Sequence, residues 1–96
     1  MYLQSNPVSV EVTESQILPV GARRYFGFQN QDGANPVYLV FNSAENTGER
    51  VATADNNGIL VLAGEFYHIE TKAPIMGEVR AISTGGTVLG TVITAQ

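Results

Sequence analysis

Ile59-Leu60-Val61-Leu62, Phe66-Tyr67-His68-Ile69-Glu70, Glu78-Val79-Arg80-Ala81-Ile82 and Gly86-Thr87-Val88-Leu89-Gly90-Thr91-Val92-Ile93 follow one another through the C-terminal third of the chain. Each is short, rich in β-branched and aromatic residues, and separated from the next by Gly64-Glu65, Ala73-Pro74 or Thr84-Gly85-Gly86. Short apolar runs cut by glycine, proline and polar pairs are the pattern of antiparallel strands joined by tight connections. No segment sustains a 3.6-residue apolar period over the length a helix needs.

Working upstream, the same pattern continues. Val8, Val10 and Val12 alternate with Ser9, Glu11 and Thr13, which predicts a strand with one buried and one wet face. Ahead of it, Met1 to Pro7 reads as an N-terminal arm carrying Tyr2 and Leu3, because Pro7 discourages extension of a ladder. Pro19-Val20-Gly21 is a turn, and Arg23 to Asn30 is the second strand, with Phe26 and Phe28 on one face. Asp32-Gly33 and Asn35-Pro36 reverse the chain, so that Val37 to Asn42 is predicted to return as the partner of a hairpin. On that strand Val37, Leu39 and Phe41 make one row and Tyr38 and Val40 the other, so both faces are expected to be covered. Residues 43–58 form a long polar loop with room for a short strand around Arg50 to Thr53. The sum is an all-β, antiparallel sandwich of about seven strands in a single domain, residues 8–96, preceded by an arm, residues 1–7. Jelly-roll and immunoglobulin-like orders fit equally well, and so does a small barrel.

Composition narrows the function. A chain of 96 residues supports one core with a thin stability margin, for which disulfides, a structural metal or partner chains are the usual remedies. There is no cysteine and only one histidine, so partner chains are the favoured remedy and no cofactor is expected. The net charge of -4 argues against nucleic acid. No run approaches a membrane span, and residues 1–7 lack the basic start and apolar stretch of a signal peptide, so synthesis as a soluble cytoplasmic protein with no membrane partner is expected. Charged residues make up 15% of the chain against roughly 25% in ordinary domains, so much of the surface must be neutral and open to association.

Chemistry-bearing residues are sparse. His68 shares a strand face with Phe66 and Glu70, but no nucleophile motif accompanies it, and a structural or interface role is the better reading. Glu11 with Glu14, Glu45 with Glu49, and Glu65 with Glu70 have no spacing that marks a glycosidase pair, and read as solvated charges. Asp55-Asn56-Asn57-Gly58 is oxygen-rich but lacks the alternating acids of a calcium loop, and reads as a tight turn. Arg23-Arg24, beside Tyr25 and Phe26, is the one basic and aromatic cluster, suited to pairing with a neighbouring protein or stacking on a sugar. Since successive strand residues point to opposite faces, only one of the two arginines can join a given surface. The expected interface set is therefore Tyr2, Leu3, Pro7, Arg23, Arg24, Tyr38, Tyr67 and His68, with no catalytic and no metal-binding residue.

From Leu18 onward, the order of a turn, Arg23 to Asn30, Pro36 to Phe41, a polar loop, Ala63-Gly64-Glu65, Ala73-Pro74, Gly77 to Ser83 and Gly86-Thr87 resembles the small β-rich virion proteins of tailed bacteriophages. In size and character the chain is most similar to capsid decoration, or cement, proteins. That resemblance implies a non-enzymatic homo-oligomer, commonly a trimer, which binds the major capsid protein on the outside of the head and bridges capsomers. A head-fibre or tail-associated module is the related alternative. A carbohydrate-binding β-sandwich with exposed tyrosines, and a small hydrolase dependent on His68, are the readings from other classes.

Overall fold

In the computed structural model, which describes residues 3–53 and 58–96, the chain is all β. Eight strands run in the order β1 Leu3–Val10, β2 Ser15–Leu18, β3 Arg23–Asn30, β4 Val37–Phe41, β5 Ile59–Val61, β6 Phe66–Ile75, β7 Val79–Ser83 and β8 Val88–Ala95. They form two antiparallel four-stranded sheets, β1-β8-β3-β6 (sheet A) and β2-β7-β4-β5 (sheet B).

The pairings explain this order. β1 lies on β8, β2 on β7, β3 on β6 and β4 on β5, all antiparallel. The chain is thus one long two-stranded ribbon doubled back between β4 and β5. Rolling the ribbon brings β8 against β3 and β7 against β4. That is the jelly-roll arrangement, and it settles the sandwich order in favour of the jelly roll over the immunoglobulin-like one. Every connection except β4 to β5 passes from one sheet to the other.

Several expectations change as a result. Arg23–Asn30 and Val37–Phe41 are not a hairpin, since they lie in opposite sheets. Their Asp-Gly and Asn-Pro signals serve a corner between sheets: buried Asn30 accepts from the Asp32 N–H through Oδ1 and donates through Nδ2 to the carbonyls of Asn35 and Val61. Asp32 Oδ2 accepts from the Ala34 and Asn35 amides, bonds that lower its pKa. The second change is at the N-terminus, where residues 3–7 are part of β1, paired with Ala95 back to Thr91. Pro7 is tolerated because β1 is an edge strand. Ser15–Leu18, which lies between the segments assigned from the sequence, is a short strand with a bulge at Ile17. Pro74 does not end β6; it lies in the stretch where the register to β3 shifts between Arg23 and Tyr25.

Alternation puts Val10, Phe26, Phe28, Val88 and Val92 of sheet A against Val37, Leu39, Val61, Val79 and Ala81 of sheet B, all fully or almost fully buried. Phe26 and Phe41 meet edge to face across the core, with centroids 5.5 Å apart. Val40 points away from this core yet is buried, as expected for a strand covered on both faces. Gly58 comes so close to Val40 and the Leu39 carbonyl that a Cβ would stand 2.3 Å from that oxygen. No strand occurs in residues 50–53.

Candidate interaction surface

The register of sheet A defines its outer face row by row, because directly paired residues point the same way. One row holds Leu3, Ala95, Tyr25 and Glu70; the next Ser5, Ile93, Gly27 and His68; a third Pro7, Thr91, Gln29 and Phe66; Ser9 and Leu89 follow. Among these residues Glu70 alone carries a full charge. Leu89 is 63% exposed, Leu3 59% and Phe66 41%, so large apolar side chains stand in solvent on a face four strands wide.

Gly27 organises the aromatic part of this face. A Cβ there would lie 2.7 Å from Phe66 Cζ and 3.3 Å from Tyr25 Cε1, so the two rings occupy the space a side chain would take. His68, paired directly across from Gly27, stacks with both: its centroid is 5.6 Å from Phe66 and 5.8 Å from Tyr25, with interplanar angles of 17° and 20°. The three rings form a continuous stack across successive rows, with Phe66 and His68 exposed and Tyr25 half-buried. The edges flanking the face are poor sites for strand addition. β1 carries Pro7, β6 carries Lys72 and Pro74 with its register shift, and the sheet B edges β2 and β5 are only four and three residues long.

The sequence-based interface set divides. Leu3, Pro7 and His68 share this face. Tyr2 lies outside the described residues. Arg24 is exposed at the start of β3, on the rim of a shallow hollow with Pro74 and Gln96. Arg23 is not on a surface: only 5% exposed, it donates to the carbonyls of Gly77 (2.7 Å) and Pro19 (2.6 Å), tying two turns together, and burial lowers its pKa. Tyr67 points the opposite way from His68, packing on the core with its ring 6.5 Å from Phe41, and burial raises its pKa. Tyr38 is half-buried on the outside of sheet B, away from the others. Leu89, Ile93, Tyr25 and Phe66 belong to the face and are absent from the set, although period-two alternation from Val88, Phe26 and Tyr67 identifies them.

A second polar assembly lies outside sheet B. Glu78 is completely buried, with Oε1 accepting from Gln16 Nε2 (2.8 Å) and Arg80 Nη1 (3.1 Å). Its Oε2 accepts from Asn42 Nδ2 (2.7 Å) and the Gly48 N–H (2.6 Å). Arg80 also pairs with Glu14. Burial alone would raise the Glu78 pKa, but hydrogen bonds from Asn42, Gln16, Gly48 and Arg80 outweigh it and lower the value from 4.5 to about 2. Asn42 in turn binds both the N–H and the carbonyl of Arg50. The function of this cluster is architectural: it fixes the loop after β4 to the sheet. Among the described residues no group of three or more His, Cys, Asp or Glu side chains is placed to hold a metal ion. The turn expected at Asp55-Asn56-Asn57 lies outside the described residues.

No family model matches the chain, and no curated protein matches it significantly. Solved structures do. The chain is similar to a de novo designed double-stranded β-helix, at 15% identity and a TM-score of 0.52, covering 95% of this chain and 96% of that one. It is similar to a chain of Bacillus endospore appendages, described as disulfide-linked pili, at 18% identity and a TM-score of 0.50, covering 97% and 88%. The SPBc2 prophage-derived protein YomS matches at 13% identity and a TM-score of 0.50, covering 98% and 95%. At such identities the likeness is one of fold, and the fold it shows is the doubled ribbon traced above.

Proposed function

We propose that the protein is a non-enzymatic structural subunit of a phage virion: a homo-oligomeric decoration, or cement, protein that sits on the exterior of the head and binds the major capsid protein across capsomer boundaries. The observation that carries this reading is the outer face of sheet A, broad, almost uncharged, with Leu3, Phe66 and Leu89 standing exposed on it and one ionised side chain at its margin. Such a face loses little by desolvation and gains by burial, as contact surfaces do. The likeness in fold to a prophage-derived protein and to a pilus subunit is in keeping with assembly. Since this chain has no cysteine, no disulfide joins it to its neighbours, and repetition over a lattice multiplies modest affinities through effective concentration.

The test is to add purified protein to heads prepared from phage lacking this gene and to follow co-sedimentation and resistance to heat. Saturable binding that raises the disruption temperature of the heads is expected; heads that neither bind nor gain resistance contradict the reading. The ring row Phe66, His68 and Tyr25, with Glu70 beside it, favours a second use as a carbohydrate platform. A glycan array answers that directly, binding that disappears in Tyr25→Ala being its signature.

A further inference from the structure

Resting on the assembly role proposed above, we infer that the outer face of sheet A is where this chain meets a second copy of itself, the two faces packed against each other about a two-fold axis. Three features of the face select that occupant. First, charge: a molecule of net charge -4 repels its copies, so identical chains can pair closely only through a patch that leaves the carboxylates outside, and only Glu70 intrudes here. A partner of opposite charge would be met by acidic residues, which this face lacks.

Second, size. The fourteen residues of the face, each covering about 32 Å² at about 4.8 Å strand spacing and two rises of about 3.3 Å, give about 450 Å² per copy, or about 900 Å² for two, at the low end for a specific interface. Third, the alternatives are blocked. Pro7, Lys72, Pro74 and the short outer strands of sheet B disfavour edge-to-edge pairing, which leaves face-to-face packing.

The register fixes the match. A two-fold parallel to the strands keeps each row level and exchanges the two edges, so β6 of one copy lies over β1 of the other. Phe66 then faces Pro7 of the second copy, His68 faces its Ser5, and the two Glu70 carboxylates sit at opposite margins, where each can turn to water. An axis across the strands would instead bring the two β6 rows together and Glu70 onto the apolar Phe66.

The absence of native cysteine makes the test clean. Within one chain Ser5 and His68 are three strand spacings apart, about 14 Å, too far for a disulfide. Ser5→Cys/His68→Cys is therefore expected to give a covalent dimer with a thiol-reactive crosslinker of about 8 Å span, which bridges two faces packed about 10 Å apart and falls short of the intrachain separation, while each single variant stays uncrosslinked. Light scattering is expected to show a dimer for the unmodified protein and a monomer for Leu89→Glu, whose melting temperature should follow the loss of the dimer and not a loss of secondary structure. A monomer, a trimer, or a dimer indifferent to Leu89→Glu overturns the inference. If such a protein still binds and strengthens heads, the pairing is wrong and the decoration role stands; a dimer that ignores heads has the opposite meaning.

Discussion

Glu78→Gln is the sharpest probe of what holds this small sandwich together. The carboxylate accepts four hydrogen bonds, two at each oxygen, while wholly shielded from water. A glutamine of the same shape must turn its NH₂ toward one pair of donors, either Gln16 and Arg80 or Asn42 and Gly48. Two charge-assisted bonds are lost, at about 1.5–3 kcal/mol each, and part of that is returned because no charge is buried. The net cost is about 3 kcal/mol. Linkage gives the same size: lowering the pKa from 4.5 to about 2 corresponds to about 3 kcal/mol. The folded value lies below the unfolded one, so this stabilisation is complete above about pH 4.5 and disappears as the pH falls through about 2. Thermal unfolding at neutral pH should show a melting temperature lower by about 12–24 °C for a domain of this length. The variant should also lose most of the wild type's decline in stability between pH 4.5 and 2, and the Gly48 and Arg50 amides should exchange faster, since Glu78 and Asn42 hold them. A drop of less than about 4 °C with an unchanged acid profile would refute the claim that this carboxylate anchors the loop.

Arg23→Met retains the aliphatic stem but abandons the Gly77 and Pro19 carbonyls, and should cost about 2–4 kcal/mol in urea unfolding, far beyond the effect of an exposed arginine. Gly27→Ala forces the Phe66 ring to move and should destabilise by about 1 kcal/mol. In a Phe66→Ala background the same change should instead stabilise by about 0.5–1 kcal/mol, the usual gain of alanine over glycine in a strand. A double-mutant cycle by thermal unfolding reads this sign reversal; additivity would show that the ring does not occupy the Gly27 site.

Strand content was legible because alternation in Val8–Val10, Arg23–Asn30, Val37–Phe41 and Val88–Ile93 is a local property of the chain. The pairing of those strands was not. Asp32-Gly33 and Asn35-Pro36 mark a reversal whether the chain returns in the same sheet or crosses to the other, and the choice rests on Asn30 reaching Val61, far away in sequence. Ser15–Leu18 has too few residues to show a period. Pro7 reads as a ladder-breaker unless its strand is known to be at an edge. Glu78 looks like any solvated acid beside Gly77 and Val79, because Gln16, Asn42 and Gly48, which make it an anchor, come from distant segments. Likewise Arg23 and Arg24 are equivalent on paper, and only the turns at Pro19 and Gly77 decide that one is buried. Alternation alone groups His68 with Phe66 and Glu70 on one strand face, as the pairing to β3 has it, and by the same rule sets Tyr67, its neighbour, on the opposite face, which is the core.

Maleimide labelling of single cysteines placed at Leu89 and Leu60, exposed positions on the outer faces of sheets A and B, tests most directly whether the protein works through sheet A. In the free dimer the site at 89 should be protected and the site at 60 should remain reactive, and the site at 89 should stay protected when the protein is assembled on heads. Equal labelling of both in the free protein would contradict the account.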